Sequence, residues 1–200
     1  MGTVAKAGAK LPIAPEGTHI ARCIWVIDLG HQKSEFMGKT KVLPKILMCF
    51  ELLGEEKMED GRPFTLSRRF TLSLGDKSAL RPVLESWRGR KFTREELDGF
   101  DVRNCCGKYA MVTVTHDVDG EKEYANIASV AAIPKGLTLP DGVNDTITYV
   151  IEEGERPNIV GLPEWVGKII QQCEEMKGID ADEPKKKPGN FDDMKDDIPF

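Results

Sequence analysis

Apolar positions alternate along the first half of the chain. In THIARCIWVIDLG, Ile20, Cys23 or Ile24, Val26 and Leu29 take the inward positions, and the β-branched and aromatic content predicts a strand. A loop, HQKSEFMGK, is expected next. TKVLPKILMCFELLG then reads as a second long strand, in which Pro44 predicts a bulge or an edge position because proline cannot donate to a ladder. Beyond the Asp60-Gly61 turn signal, RPFTLSRRFTLSLG predicts a third strand with Phe64, Leu66, Phe70, Leu72 and Leu74 mostly at period two.

The period then changes. Leu80, Val83, Leu84 and Trp87 recur at three and four, which predicts a helix that tolerates Pro82, is capped by Asp76 and is ended by Gly89. A Thr-x-x-Glu capping box at Thr93 to Glu96 opens a second short helix. GKYAMVTVTHDVDGEKEYANIASVAAIP reads as two strands turning at Asp119-Gly120. Three strands, a helix and two strands is the element order of an OB-fold, a mainly β five-stranded Greek-key barrel with a helix between the third and fourth strands. LPEWVGKIIQQCEEMKG adds a C-terminal helix, with Trp165, Val166, Ile169, Ile170 and Cys173 on an apolar face expected to dock on the barrel. The expected organisation is a flexible arm over 1–15, one folded unit over 16–178 and a disordered acidic tail over 179–200, where charge and proline replace periodicity.

Composition narrows the function classes. With 200 residues, 40% hydrophobic and 30% charged, the chain has room for one sizeable core. No run approaches the ~20 apolar residues of a membrane span, and the N-terminus lacks a secretory apolar core, so the expectation is a cytoplasmic protein without membrane association. The odd set of cysteines, Cys23, Cys49, Cys105, Cys106 and Cys173, has no disulfide-framework or zinc spacing, and His19, His31 and His116 are scattered. No metal or cofactor is expected. No nucleophile elbow, phosphate loop or metalloprotease motif is present, and the paired glutamates are sequence neighbours that face apart, so no catalytic residues are assigned.

The net charge of −5 is unevenly spread. From Arg62 to Phe92 eight bases face two acids, a balance of +6, while Ile179 to Phe200 holds four bases and seven acids, a balance of −3. Single-stranded nucleic acid needs cations that follow the phosphates and rings on which bases stack. Trp25, Lys39, Lys41, Arg62, Phe64, Arg68, Arg69, Arg88, Arg90, Lys91, Phe92, Lys108, Tyr109 and Tyr124 are the candidates for such a groove. Phe70 and Trp87 fit apolar periodicities and read as core; Phe64 and Trp25 fit either role.

The final residues, DDIPF, resemble the C-terminal signature of bacterial single-stranded DNA-binding proteins, in which an acidic tail docks on replication and repair enzymes. EGTHIARCIWVIDLGHQ, KTKVLPKILMCFEL and LPEWVGKIIQQCEE resemble bacteriophage single-stranded DNA-binding proteins with an OB-fold core. The resemblance implies a protein of replication, recombination and repair that coats exposed strands in the host cytoplasm, with a homodimer left open. It also implies that Asp192, Asp193, Asp196, Asp197, Ile198, Pro199 and Phe200 recruit partner enzymes, or fold back on the basic groove. The alternative from the residues is an OB-fold RNA-binding protein or a protein-protein adaptor.

Overall fold

The computed structural model describes residues 12–36, 38–120 and 122–177, so the expected acidic tail and most of the expected arm lie outside the described residues. The chain is mainly β. One six-stranded, mostly antiparallel sheet runs in the order β3-β2-β1-β4-β5, with β6 parallel to β1. Its strands are β1 (Gly17–Phe36), β2 (Lys39–Leu52), β3 (Thr65–Thr71), β4 (Tyr109–Asp119), β5 (Lys122–Ala131) and β6 (Ile147–Tyr149). Between β3 and β4 lie α1 (Leu80–Arg88), α2 (Arg94–Asp98) and a 3-10 turn at Val102–Cys105; α3 (Glu164–Ile170) and α4 (Glu174–Lys177) close the described chain. None of these helices is long and apolar enough to cross a membrane.

β1 is longer than the pattern predicts, and the expected loop HQKSEFMGK is largely strand. β1 runs through Gly30, which at φ 70° closes the second of two register shifts, Asp28/Gly30, the first being at Cys23/Trp25. Asp28 Oδ1 accepts from the Gly30 amide at 2.9 Å and stabilises the turn of chain. The bulged strand pairs with β4 over Gly17–Arg22 and with β2 over Ala21–Phe36, so its distal half forms a hairpin arm.

Pro44 takes the edge position: β2 is central further along, but β3 pairs with it only from Lys45 to Glu51. In an antiparallel ladder a residue's N–H and C=O face the same neighbour. The Pro44 carbonyl accepts from Leu72 N at 2.8 Å, so its missing N–H falls on the β3 side, one residue past the last β2–β3 pair, Lys45–Thr71. The ladder to β1 is untouched.

Pro82 is accommodated in the first turn of α1, where an N–H has no helical partner. Asp76 does not cap this helix; the Ser78 hydroxyl accepts from Leu80 N at 3.1 Å, and Asp76 pairs with Arg81. Gly89 ends it in the left-handed region at φ 67°. The Thr93/Glu96 capping box forms as its spacing predicts.

Two apolar clusters lie on opposite faces of β1 and β2. The inner one packs Val26, Ile46, Met48, Phe50 and Leu52 against Val112, Val114, Ile127, Val130 and the α1 residues Leu80, Leu84 and Trp87. The outer one packs Ile27, Leu29 and Leu47 against Val166, Ile170 and Cys173. Burial on both faces explains why KILMCFEL is nearly continuous in apolar residues instead of alternating. β3 runs beside β5, and Arg68 spans them, donating to the Ile127 carbonyl at 3.1 Å.

The single C-terminal helix of the pattern is broken in two. Gln32 Nε2 donates to the Ile169 carbonyl at 3.1 Å, and Cys173 N turns to Ile170 O, which tightens the end of α3. The apolar face docks on the sheet as expected, except for Trp165, which is 44% exposed. At the other end Ala14 is buried and its carbonyl faces His116 Nε2 at 2.7 Å, so the chain is already packed at Ala14, ahead of the expected boundary at residue 16.

Candidate nucleic-acid interface

Strand parity sorts the candidate residues. On β2 the inward set Ile46, Met48 and Phe50 alternates with an outward set, Lys41, Leu43, Lys45, Leu47, Cys49 and Glu51, and register places Arg69 opposite Leu47 and Ser67 opposite Cys49. Lys39 and Lys41 extend the same face along the hairpin arm. Lys39, Lys41 and Arg69 are exposed and have no carboxylate partner among the described residues. Lys45 is buried on this face and its Nζ donates to the Thr71 hydroxyl at 2.7 Å.

The rest of the basic middle is largely neutralised. Arg62 pairs with Asp60 at 2.6 Å, Arg81 with Asp76 and Glu85, and Arg88 and Arg90 both with Glu96. Asp60 and Glu96 lie just outside the Arg62–Phe92 window, so local charge counting overstates its field. The hydrogen bonds from Arg90, then the Thr93 amide, bring the Glu96 carboxyl down to about 2. Arg88 is a structural cation, its guanidinium 4.4 Å from the centre of the Phe92 ring and 5.0 Å from that of Phe100. Arg68 lies over Phe70 at 5.0 Å. Lys91 and Lys108 are exposed without an acid partner among the described residues.

The aromatic candidates divide as sharply. Phe64 and Phe92 are core residues, each 8% exposed, and offer no free face for stacking. Tyr109 is half-buried and its hydroxyl donates to the Pro140 carbonyl at 2.9 Å. Phe70 and Trp87 are buried as their periodicities predict. Tyr124 is exposed on β5 opposite Asp117. Trp25 is half-buried on the outer face, its ring centroid 6.4 Å from that of Trp165 at an interplanar angle of 41°.

A network that the pattern did not single out holds the chain across this face. Glu51 is fully buried and accepts from Arg22 Nε at 2.7 Å, Asn144 Nδ2 at 2.7 Å and the Asn144 amide at 2.9 Å, with the Val143 amide at 3.3 Å. Arg22 also donates to the Asn144 carbonyl at 2.5 Å. At the far end Glu175 accepts from the His31 amide at 2.9 Å and meets its ring at 2.6 Å. The segment between them supplies β6 and α3 and covers the outer faces of β1 and β2. The TITYVI run, rich in β-branched residues, is the signal from which β6 was readable.

Burial raises the thiols, Cys49 and Cys105 to about 12 and Cys23 well above the ordinary value, so these groups are poor nucleophiles. Among the described residues, no three His, Cys, Asp or Glu side chains converge as a metal site. The seven tail candidates from Asp192 to Phe200 lie outside the described residues. No family model matches this chain, and no curated protein matches it.

Proposed function

We propose that this protein binds single-stranded DNA without sequence preference, on an OB-type barrel, and recruits replication and repair enzymes through its Asp192–Phe200 stretch. The observation that carries the reading is the outward row Lys39, Lys41 and Arg69, unneutralised among the described residues of a chain whose net charge is −5. Exposed cations without carboxylate partners attract a polyanion, which would meet Lys39 and Lys41 on the hairpin arm and Arg69 on β3. The strand order and the adjacency of β3 and β5, with helices between β3 and β4, support the OB-type architecture. Fold alone does not imply function, so the weight rests on the charged face.

Phosphate contacts and ring stacking read no base edges, which makes the binding sequence-tolerant. The acidic stretch favours basic partners by electrostatic steering, and Ile198, Pro199 and Phe200 supply the apolar part of that contact.

The test is the anisotropy of fluorescein-labelled dT oligonucleotides, titrated with the full chain over a salt series and with Lys39, Lys41 and Arg69 changed to alanine. Each lost phosphate contact reduces the salt slope by about 0.7, so the triple variant loses roughly two slope units. Absence of salt-sensitive binding by the parent overturns the reading. Tighter binding of the matching ribo-oligonucleotide transfers it to RNA. Truncation after Gly189 is expected to retain DNA binding and to abolish recruitment.

A further inference from the structure

Resting on that reading, we infer that Trp165, seated against Trp25, is a base-stacking platform at the border of the outer face that carries Arg69. α3 buries Val166 and Ile170 beneath it and leaves Trp165 44% exposed beside the half-buried Trp25. An exposed apolar side chain is by itself ordinary. Three further features separate this one from the rest of the surface.

The first is orientation. The tilted contact with Trp25 restricts the Trp165 ring, which is still 44% exposed, so a base stacking on it orders a ring already held. The second is position. Register runs Trp25 to Cys49 to Ser67 across three strands, with Arg69 two residues further along β3. Ladder spacings of ~4.8 Å between strands and ~3.4 Å per residue put the Trp25 and Arg69 backbones about 12 Å apart. Between them Leu47 is buried against Val166, Ile170 and Cys173, Cys49 is buried beside it, and Ser67 is small and exposed on the β3 side.

The third is charge. The adjacent carboxylate, Glu164, is paired with Lys168 at 2.7 Å, which lessens its repulsion of a phosphate. Tyr124, the other exposed aromatic among the described residues, stands opposite Asp117, which no cation pairs with among them. A polyanion therefore meets a better-screened approach at Trp165 than at Tyr124.

The experiment compares Trp165→Ala, Trp165→Phe and Tyr124→Ala in the full chain, by anisotropy of a fluorescein-labelled dT oligonucleotide over a salt series. Loss of one stacked base corresponds to about 5- to 140-fold weaker binding for Trp165→Ala, from ~1 to 3 kcal/mol per stack at ~1.4 kcal/mol per tenfold. The salt slope is expected to stay unchanged, and Trp165→Phe to recover most of the loss. Tyr124→Ala is expected to bind as the parent does. Parent-like binding by Trp165→Ala overturns the platform while leaving the proposed function standing. Equal losses in Trp165→Ala and Trp165→Phe also overturn it, since a ring remains in the second. A parent that binds no oligonucleotide overturns both.

Discussion

Replacing Glu51 by alanine tests whether the outer covering is held by a buried charge. The carboxylate has no solvent exposure and accepts from Arg22, from the Asn144 side chain and from the Asn144 and Val143 amides, while Arg22 retains 18% exposure. Removing one partner of a buried pair typically costs ~3 to 5 kcal/mol, because the other charge and its donors stay desolvated. Val143 is 60% exposed, so the freed amides of this loop reach water with modest movement. The expected loss is therefore at the lower end, about 3 kcal/mol. With a urea m-value of about 2 kcal/mol/M, the unfolding midpoint falls by roughly 1.5 M. Arg22→Ala/Glu51→Ala is expected to lose less than the sum of the single variants, because one change removes the charge that the other strands. A Glu51→Ala midpoint indistinguishable from the parent's, or strictly additive losses, would refute the reasoning.

Other substitutions probe separate parts of the molecule. A Cβ on Gly142 would stand 1.8 Å from Arg22 Cζ, so Gly142→Ala must displace the guanidinium; urea unfolding is expected to show destabilisation in the parent and little in an Arg22→Ala background. Glu96 has its pKa lowered from 4.5 to about 2, first by Arg90, so its contribution is present above pH 4.5 and lost as pH falls toward 2. Melting curves of the parent and Glu96→Gln should converge across that window. Arg88→Met keeps the stem but loses the charge over Phe92 and Phe100, for a loss of about 1 to 2 kcal/mol in thermal or urea unfolding with oligonucleotide affinity unchanged. Affinity falling with it would make Arg88 a DNA contact. All five thiols are free and four are buried, so a chromogenic disulfide reagent should label the folded protein slowly, Cys106 first, and the unfolded protein at once.

The period-two and period-three-to-four patterns were enough for the existence of five strands, the α1 helix and the Asp119-Gly120 turn, because each depends on burying one face of a locally regular backbone. The capping box and the Gly89 stop were equally local. The tertiary structure decided the rest through groups distant in sequence. The strand expected to give way to a loop after Gly30 instead continues through a register shift to Phe36, because β2 pairs with it, and Pro44 sits at a local edge because β3 pairs with β2 only from Lys45. Trp165 fits an apolar helix face, yet in the structure it is 44% exposed and its ring meets Trp25, 140 positions away.

Charge behaves in the same way. A run of arginines announces a basic segment, but whether each is available depends on acids that the fold brings beside it, Asp60 to Arg62 and Glu96 to Arg88 and Arg90. The local run of bases, against a net charge of −5, is what suggests a basic face, and the pairing made by the fold leaves Lys39, Lys41 and Arg69 as exposed cations on the outward parity of β2 and β3. The physical reason is range: backbone preference acts over a few residues, whereas burial and ion pairing act through space between residues that the chain order keeps apart.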